Sequence, residues 1–357
     1  NTTGARNIGV GSGTLETNTT GGDNIGIGHD ALNDVTTASY NIAIGSYSGD
    51  SINTGASNTL VGYLSGSAIT TGSNNTAIGN QSFQNLTTGS DNTASGSGSL
   101  NALTEGSNNT AFGRSALGAN TTASNNTALG RLAGLGITTG TGNTAIGTSA
   151  VSAGTMTGNN NVVIGKLAGE DMTSADANVI IGEDAGKNQT TANNNILIGQ
   201  GAGEAITTGG DNIFVGTGAG DGHDAETNNL GIGKGSLGAS INGGEYNVAI
   251  GNLTLDSLTS ADFSVAVGYD AGSAITTGGN NTLVGYQAGK HITTGTNNTG
   301  VGIQALYNFD AEGNNTAFGQ SALGGTIAGG EFNVAVGNLS LSGLTSGDLN
   351  TAVGYNA

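Results

Sequence analysis

The feature that most constrains this chain is its period. A glycine closing an Asn-x-x-x-Gly phrase returns every 17 residues from Gly11 to Gly354, giving 21 units. One extra residue enters only between Gly147 and Gly165, Gly233 and Gly251, and Gly319 and Gly337. A repeat this short and strict predicts a solenoid, in which one unit is one turn and each turn buries its apolar face by stacking on its neighbours. The expected fold is all-β, a parallel β-solenoid of 21 turns forming one elongated domain over residues 1–357. A slower repeat of five turns, 86 residues, carries the extra residues, which are expected as loop bulges because an addition inside a strand flips every later side chain.

Composition closes other routes. Glycine is 68 of 357 residues without the every-third spacing of collagen, and proline is absent. The net charge of −18, from 25 acidic and 7 basic side chains, argues against nucleic acid, whose phosphates need clustered Lys and Arg. No apolar run approaches the ~20 residues of a membrane span. There is no cysteine for disulfides or thiolate metal sites. The chain starts without Met and in mid-repeat, so it is expected to be a segment of a longer protein.

Each unit can be numbered from its glycine as position 0. Position −1 is Val, Ile, Leu or Phe in all units but one (Ser95), and −3 is β-branched in all but one (Leu230). Alternate β-formers make a strand whose −3 and −1 side chains share one face, expected inside. Position −2 must then point the other way, yet it is never polar. It is Ala77, Ala111 or Ala145 in some units and Ile180, Leu197, Phe214 or Leu283 in others. A strand apolar on both faces is covered on both. The −2 row therefore either meets the opposite half of its own turn or, the reading preferred here, packs on another copy of the chain.

Position −4 is Asn in 20 units, among them Asn24, Asn41, Asn58, Asn75, Asn92, Asn109, Asn126 and Asn143. Stacked one turn apart, these amides are expected to form a structural hydrogen-bonded ladder and to take the left-handed corner backbone. Position 0 needs glycine for a positive φ or for lack of room. Positions +3 to +8, with a small residue at +3 and an apolar one near +7, read as a second, shorter strand.

Catalytic and cofactor motifs are lacking. His29, His223 and His291 occupy three different phases and are expected at the surface, no metal or cofactor is implied, and no nucleophile, base and acid recur at a usable spacing. The acids Asp23, Asp91 and Asp211 at −5 are scattered. Rows such as Thr70, Thr71, Thr138 and Thr139 raise an alternative, ice or crystal-surface binding, although Glu105, Glu226 and Glu312 interrupt them. A self-assembling extracellular filament subunit is a further alternative.

The phrase Asn143-Thr144-Ala145-Ile146-Gly147-Thr148-Ser149-Ala150 resembles the head repeats of YadA-like trimeric autotransporter adhesins and similar repeats of phage tail fibres. The likeness runs through all units, although the unit here is longer. It implies a left-handed parallel β-roll, three copies associated along an axis, −3 and −1 inside each roll and −2 at the contact between copies. The function so implied is a non-catalytic structural and adhesive fibre segment, a rod at a cell surface or on a virion, with itself and an unknown surface receptor, such as a glycan, as partners.

Overall fold

The structure is a computed structural model, and it describes residues 2–240, 242–325 and 329–357. The described residues contain 21 strands of three residues each and no helix. They fall into two compact units, Asn1–Ala177 and Asn178–Ala357. The first holds ten strands, from β1 (Ile8–Val10) to β10 (Val162–Ile164), and the second eleven, from β11 (Val179–Ile181) to β21 (Thr351–Val353). Within each unit a strand pairs in parallel with its counterpart one turn on, so that Thr76, Ala77 and Ile78 face Thr93, Ala94 and Ser95. Each unit is thus a parallel β-solenoid with a 17-residue turn.

The faces of the strand are the reverse of the expectation. Ala77, Ala111, Ala145, Ile180, Leu197, Phe214 and Leu283 are buried inside the roll with no exposed surface, whereas Ile78 is 46% exposed and Phe112 55%. The reason lies across the turn. Position +4 is glycine wherever −2 is large (Leu60 and Gly66, Ile180 and Gly186, Phe214 and Gly220) and is large in most turns where −2 is small (Ala77 and Phe83, Gly231 and Leu237). In the exceptions, Ala43 with Gly49, Ala128 with Gly134 and Ala266 with Gly272, the space at the glycine is taken by Leu60, Leu117 and Leu255 of neighbouring turns. A Cβ on Gly66 would lie 2.7 Å from Leu60, and one on Gly220 2.4 Å from the Phe214 ring. The two positions share one interior volume, which close packing fills once. Apolar residues at +7, such as Ile52, Leu86, Ile137 and Ile275, complete that core.

Among the described residues no second strand forms at +3 to +8. This segment turns instead, with left-handed residues at +2 and +4 such as Gln81 (φ 57°) and Phe83 (φ 52°). Its amides alternate in direction: Gln81 donates back to the Tyr63 carbonyl at 2.9 Å, and Phe83 donates forward to that of Ser99 at 3.2 Å. Stacking therefore satisfies the backbone without a strand. The glycine at 0 is required on both expected counts. Gly79 has φ 140°, and a Cβ there would lie 2.6 Å from the Gly96 carbonyl oxygen.

The first extra residue is absorbed without disturbing strand register, since Thr144, Ala145 and Ile146 still face Val162, Val163 and Ile164. It is taken up between Val151 and Met156, because Gly136 donates to the Val151 carbonyl while Thr138 donates to that of Met156. The intervals expected to hold the other two additions include residues 241 and 326–328, which lie outside the described residues. Their flanks are tied by buried carboxylates. Glu226 accepts from the amides of Asp224 and Gly243 at 2.9 and 3.0 Å, and Glu312 accepts from those of Asp310 and Gly329 at 2.9 Å each.

Candidate functional site

Within each unit the −4 asparagines form an internal spine. The Asn75 amide N–H donates to Asn58 Oδ1 at 3.0 Å, and Asn75 Nδ2 donates to the same oxygen at 3.1 Å and to the Gly89 carbonyl at 2.9 Å. Asn92 repeats this on Asn75, and Asn109 on Asn92. Asn41, Asn58, Asn126 and Asn143 hold equivalent rungs, with Asn24 accepting from Asn41. The left-handed residue is not this Asn but its predecessor, Asn74 with φ 58°. Ser264 keeps the row alive with a longer rung: Asn281 N–H donates to its Oγ at 3.4 Å, and Asn281 Nδ2 turns to the Gly278 carbonyl.

The Thr row at +8 is also spent on the roll. Thr70, Thr87 and Thr104 each donate the hydroxyl proton to the carbonyl one turn on, at 3.2, 2.9 and 3.0 Å. Of the interrupting acids, Glu226 and Glu312 are buried carboxylates, removed from that surface.

Histidine placement corrects the sequence expectation in one of three cases. His29 lies at the surface beside Asp30, with 2.9 Å between Nδ1 and Oδ2, and His291 is exposed against Tyr307. His223, in contrast, is fully buried, its ring edge-on to Phe214 with centroids 4.7 Å apart. Neither ring nitrogen has a hydrogen-bond partner. Burial pushes its pKa down to about 3, outweighing an opposing influence of the Leu237 backbone. Phase +7 placed it there, the same phase that buries Ile206 and Leu258.

Other titratable groups lie on the outer turns. Asp50 is pushed up to about 6 by partial burial, reinforced by the negative charges of Asp34 and Asp30. Asp221 and Asp256 are raised, mainly by burial. Among the described residues no group of three or more His, Cys, Asp or Glu is placed to hold a metal ion. No helix is long and apolar enough to cross a membrane.

What the strands present to solvent is uncharged and largely apolar. In the second unit both outward rows are aliphatic over six turns, from Val179 and Ile181 to Val265 and Val267. In the first, the −3 row is Thr from Thr59 to Thr144 while the −1 row carries Val61, Ile78, Phe112, Leu129 and Ile146. Neither row contains a charged residue in any turn, although the chain carries −18 overall. Leu129 is 48% exposed, and Ile232 38%. Covering one turn's share of this surface is worth about 1 kcal/mol. Association costs on the order of 4–15 kcal/mol, so one turn is insufficient and ten or so in register suffice.

Two edges bound this face. Position −5 precedes the strand and +1 follows it, and both are exposed. In the second unit each edge carries a ring stack: Tyr246 on Phe263, with centroids 5.2 Å apart and planes 8° from parallel, and Tyr269 on Tyr286, at 5.7 Å and 12°. The sequence signal that identifies the outward face is the reciprocal size of −2 and +4, which fixes the inward one. No protein-family model and no curated protein sequence matches the chain.

Proposed function

We propose that this chain is a non-catalytic structural and adhesive fibre segment that works as a homotrimer, outside the cell or on a virion, and attaches to a surface receptor such as a glycan. The observation that carries the reading is the uncharged outward face at −3 and −1, aliphatic on both rows in much of the second unit and on the −1 row in most of the first. Monomeric proteins seldom expose so continuous an apolar surface, and a partner with the same turn spacing matches it along its whole length. The contact between copies is thereby assigned to the −3 and −1 rows in place of the −2 row. The likeness of the Asn143–Ala150 phrase to adhesin-head and tail-fibre repeats supports the same reading.

Light scattering on the native particle tests it. The expected mass is about three times 34.5 kDa. Replacing Ile181 and Ile198 by Lys should reduce that mass to one chain with an unchanged β-sheet circular dichroism spectrum. A monomeric unsubstituted chain refutes the proposal. A thermal hysteresis assay reading above zero would point to ice binding instead.

A further inference from the structure

The 21 turns serve as an internal alignment, and two outward positions vary together in them. Four aromatic residues occupy position −5: Tyr40, Tyr246, Phe263 and Phe332. Four tyrosines occupy position +1: Tyr63, Tyr269, Tyr286 and Tyr355. Each of the first set is followed 23 residues later by one of the second, and neither set has an unmatched member. In every case −5 of one turn is matched with +1 of the next turn. Charge follows the same rule: Asp91 is matched with Arg114 and Asp211 with Lys234, two of the three acids at −5. Between the first two of these five-turn blocks both members change at once, from Asn160 and Glu183 to Tyr246 and Tyr269, and in the next block, Phe332 and Tyr355, both stay aromatic.

Residues that vary together normally touch. These do not touch within one chain. Position −5 lies before the outward strand and +1 after it, with three extended residues, about 10 Å, between them. The ring stacks of the second unit join −5 to −5 and +1 to +1, never one edge to the other, and among the described residues no ion pair links Asp91 with Arg114 or Asp211 with Lys234. The eight aromatic side chains of the two edges are exposed, from 46% at Tyr269 to 76% at Tyr355.

Building on the self-association proposed above, we infer that the −5 edge of each turn in one copy packs against the +1 edge of the next turn in a second copy, a one-turn register between copies that are not displaced along the axis, so that the ring can close. Phe263 then meets Tyr286 of the neighbouring copy, Tyr246 meets Tyr269, and Asp91 meets Arg114. Only parallel copies hold one constant offset for all of these matches; antiparallel copies would pair early turns with late ones. Because two different edges meet, the contact is heterologous, and each copy keeps one edge of each kind for further neighbours, as a closed ring requires. The rings and charges at the edges set the register, whereas the aliphatic rows between them supply most of the buried area.

Disulfide trapping tests this, since the chain has no cysteine of its own. The double variant Phe263→Cys with Tyr286→Cys should oxidise to covalent multimers closing at three chains. The pair Phe263→Cys with Tyr269→Cys, which lies in one turn, should link far less. Within one chain neither pair comes within the ~7 Å between Cα atoms that a disulfide needs. Asp91→Arg or Arg114→Asp alone should weaken assembly about tenfold, with the double exchange restoring most of it. A native trimer that cross-links preferentially through 263 and 269, or through neither pair, overturns the one-turn register and leaves self-association standing. A monomeric unsubstituted chain overturns both.

Discussion

His223 makes the second unit acid-sensitive in a calculable way. Its ring is fully buried against Phe214 with both nitrogens unpartnered, and its pKa falls from 6.5 to about 3. Below pH 6.5 the unfolded chain takes up a proton that the folded chain refuses, so acid favours unfolding. Stability contributed by the neutral ring is intact above pH 6.5 and is lost as pH falls toward 3. The slope is about 1.4 kcal/mol per pH unit, amounting to about 2 kcal/mol at pH 5 and about 5 kcal/mol once both states are protonated. Against a typical domain stability of about 5–15 kcal/mol, that is decisive. No acid offsets the loss: the shift is set by burial, opposed only by the Leu237 backbone. His223→Leu puts an aliphatic side chain where Ile206 and Leu258 sit in other turns. Urea denaturation followed by circular dichroism between pH 7.5 and 4.5 should show the variant's advantage growing by about 1.4 kcal/mol per unit below 6.5. Parallel pH profiles for the two proteins would refute the reasoning.

Two further substitutions probe the interior. Phe214→Ala should cost about 3–5 kcal/mol by opening a cavity, and adding Gly220→Leu should recover much of it, because the two positions share one volume; a strictly additive loss in thermal denaturation would contradict that sharing. Asn92→Ala removes the acceptor of the Asn109 amide and the donor to the Gly106 carbonyl, both buried. It should cost about 3 kcal/mol in chemical denaturation, whereas the equivalent change at exposed Asn80, whose backbone is not left-handed, should cost well under 1 kcal/mol.

Much of this architecture is legible in the residues. The period fixes turn length and stacking, and Gly79 and Asn75 announce the corner and the ladder. What alternation alone does not decide is which strand face is inside, because Thr76 and Ile78 on one side and Ala77 on the other are all compatible with a core. The deciding signal is reciprocal size across the turn, as in Leu60 with Gly66 and Ala77 with Phe83. It is invisible when each position is read down its own column. Left-handed Phe83 and Leu100 (φ 52° and 48°) were hidden for another reason. Bulky residues rarely adopt that backbone, and only the stacked amides of adjoining turns repay its cost of about 1–2 kcal/mol each. Burial of His223 is readable from its phase, once +7 is taken to outweigh residue type.

The asparagine spine bears on how such a chain changes length. Each rung is completed by the turns immediately before and after it, and each strand likewise pairs only with its nearest counterparts. Removing or duplicating a whole 17-residue unit therefore joins two surfaces that already fit, with no distant contact to repair. Nothing in the interior counts turns, so recombination between units can lengthen or shorten the stack without a folding penalty. A change of one residue inside a strand has no such freedom, and the three tolerated additions mark intervals where the register could absorb it.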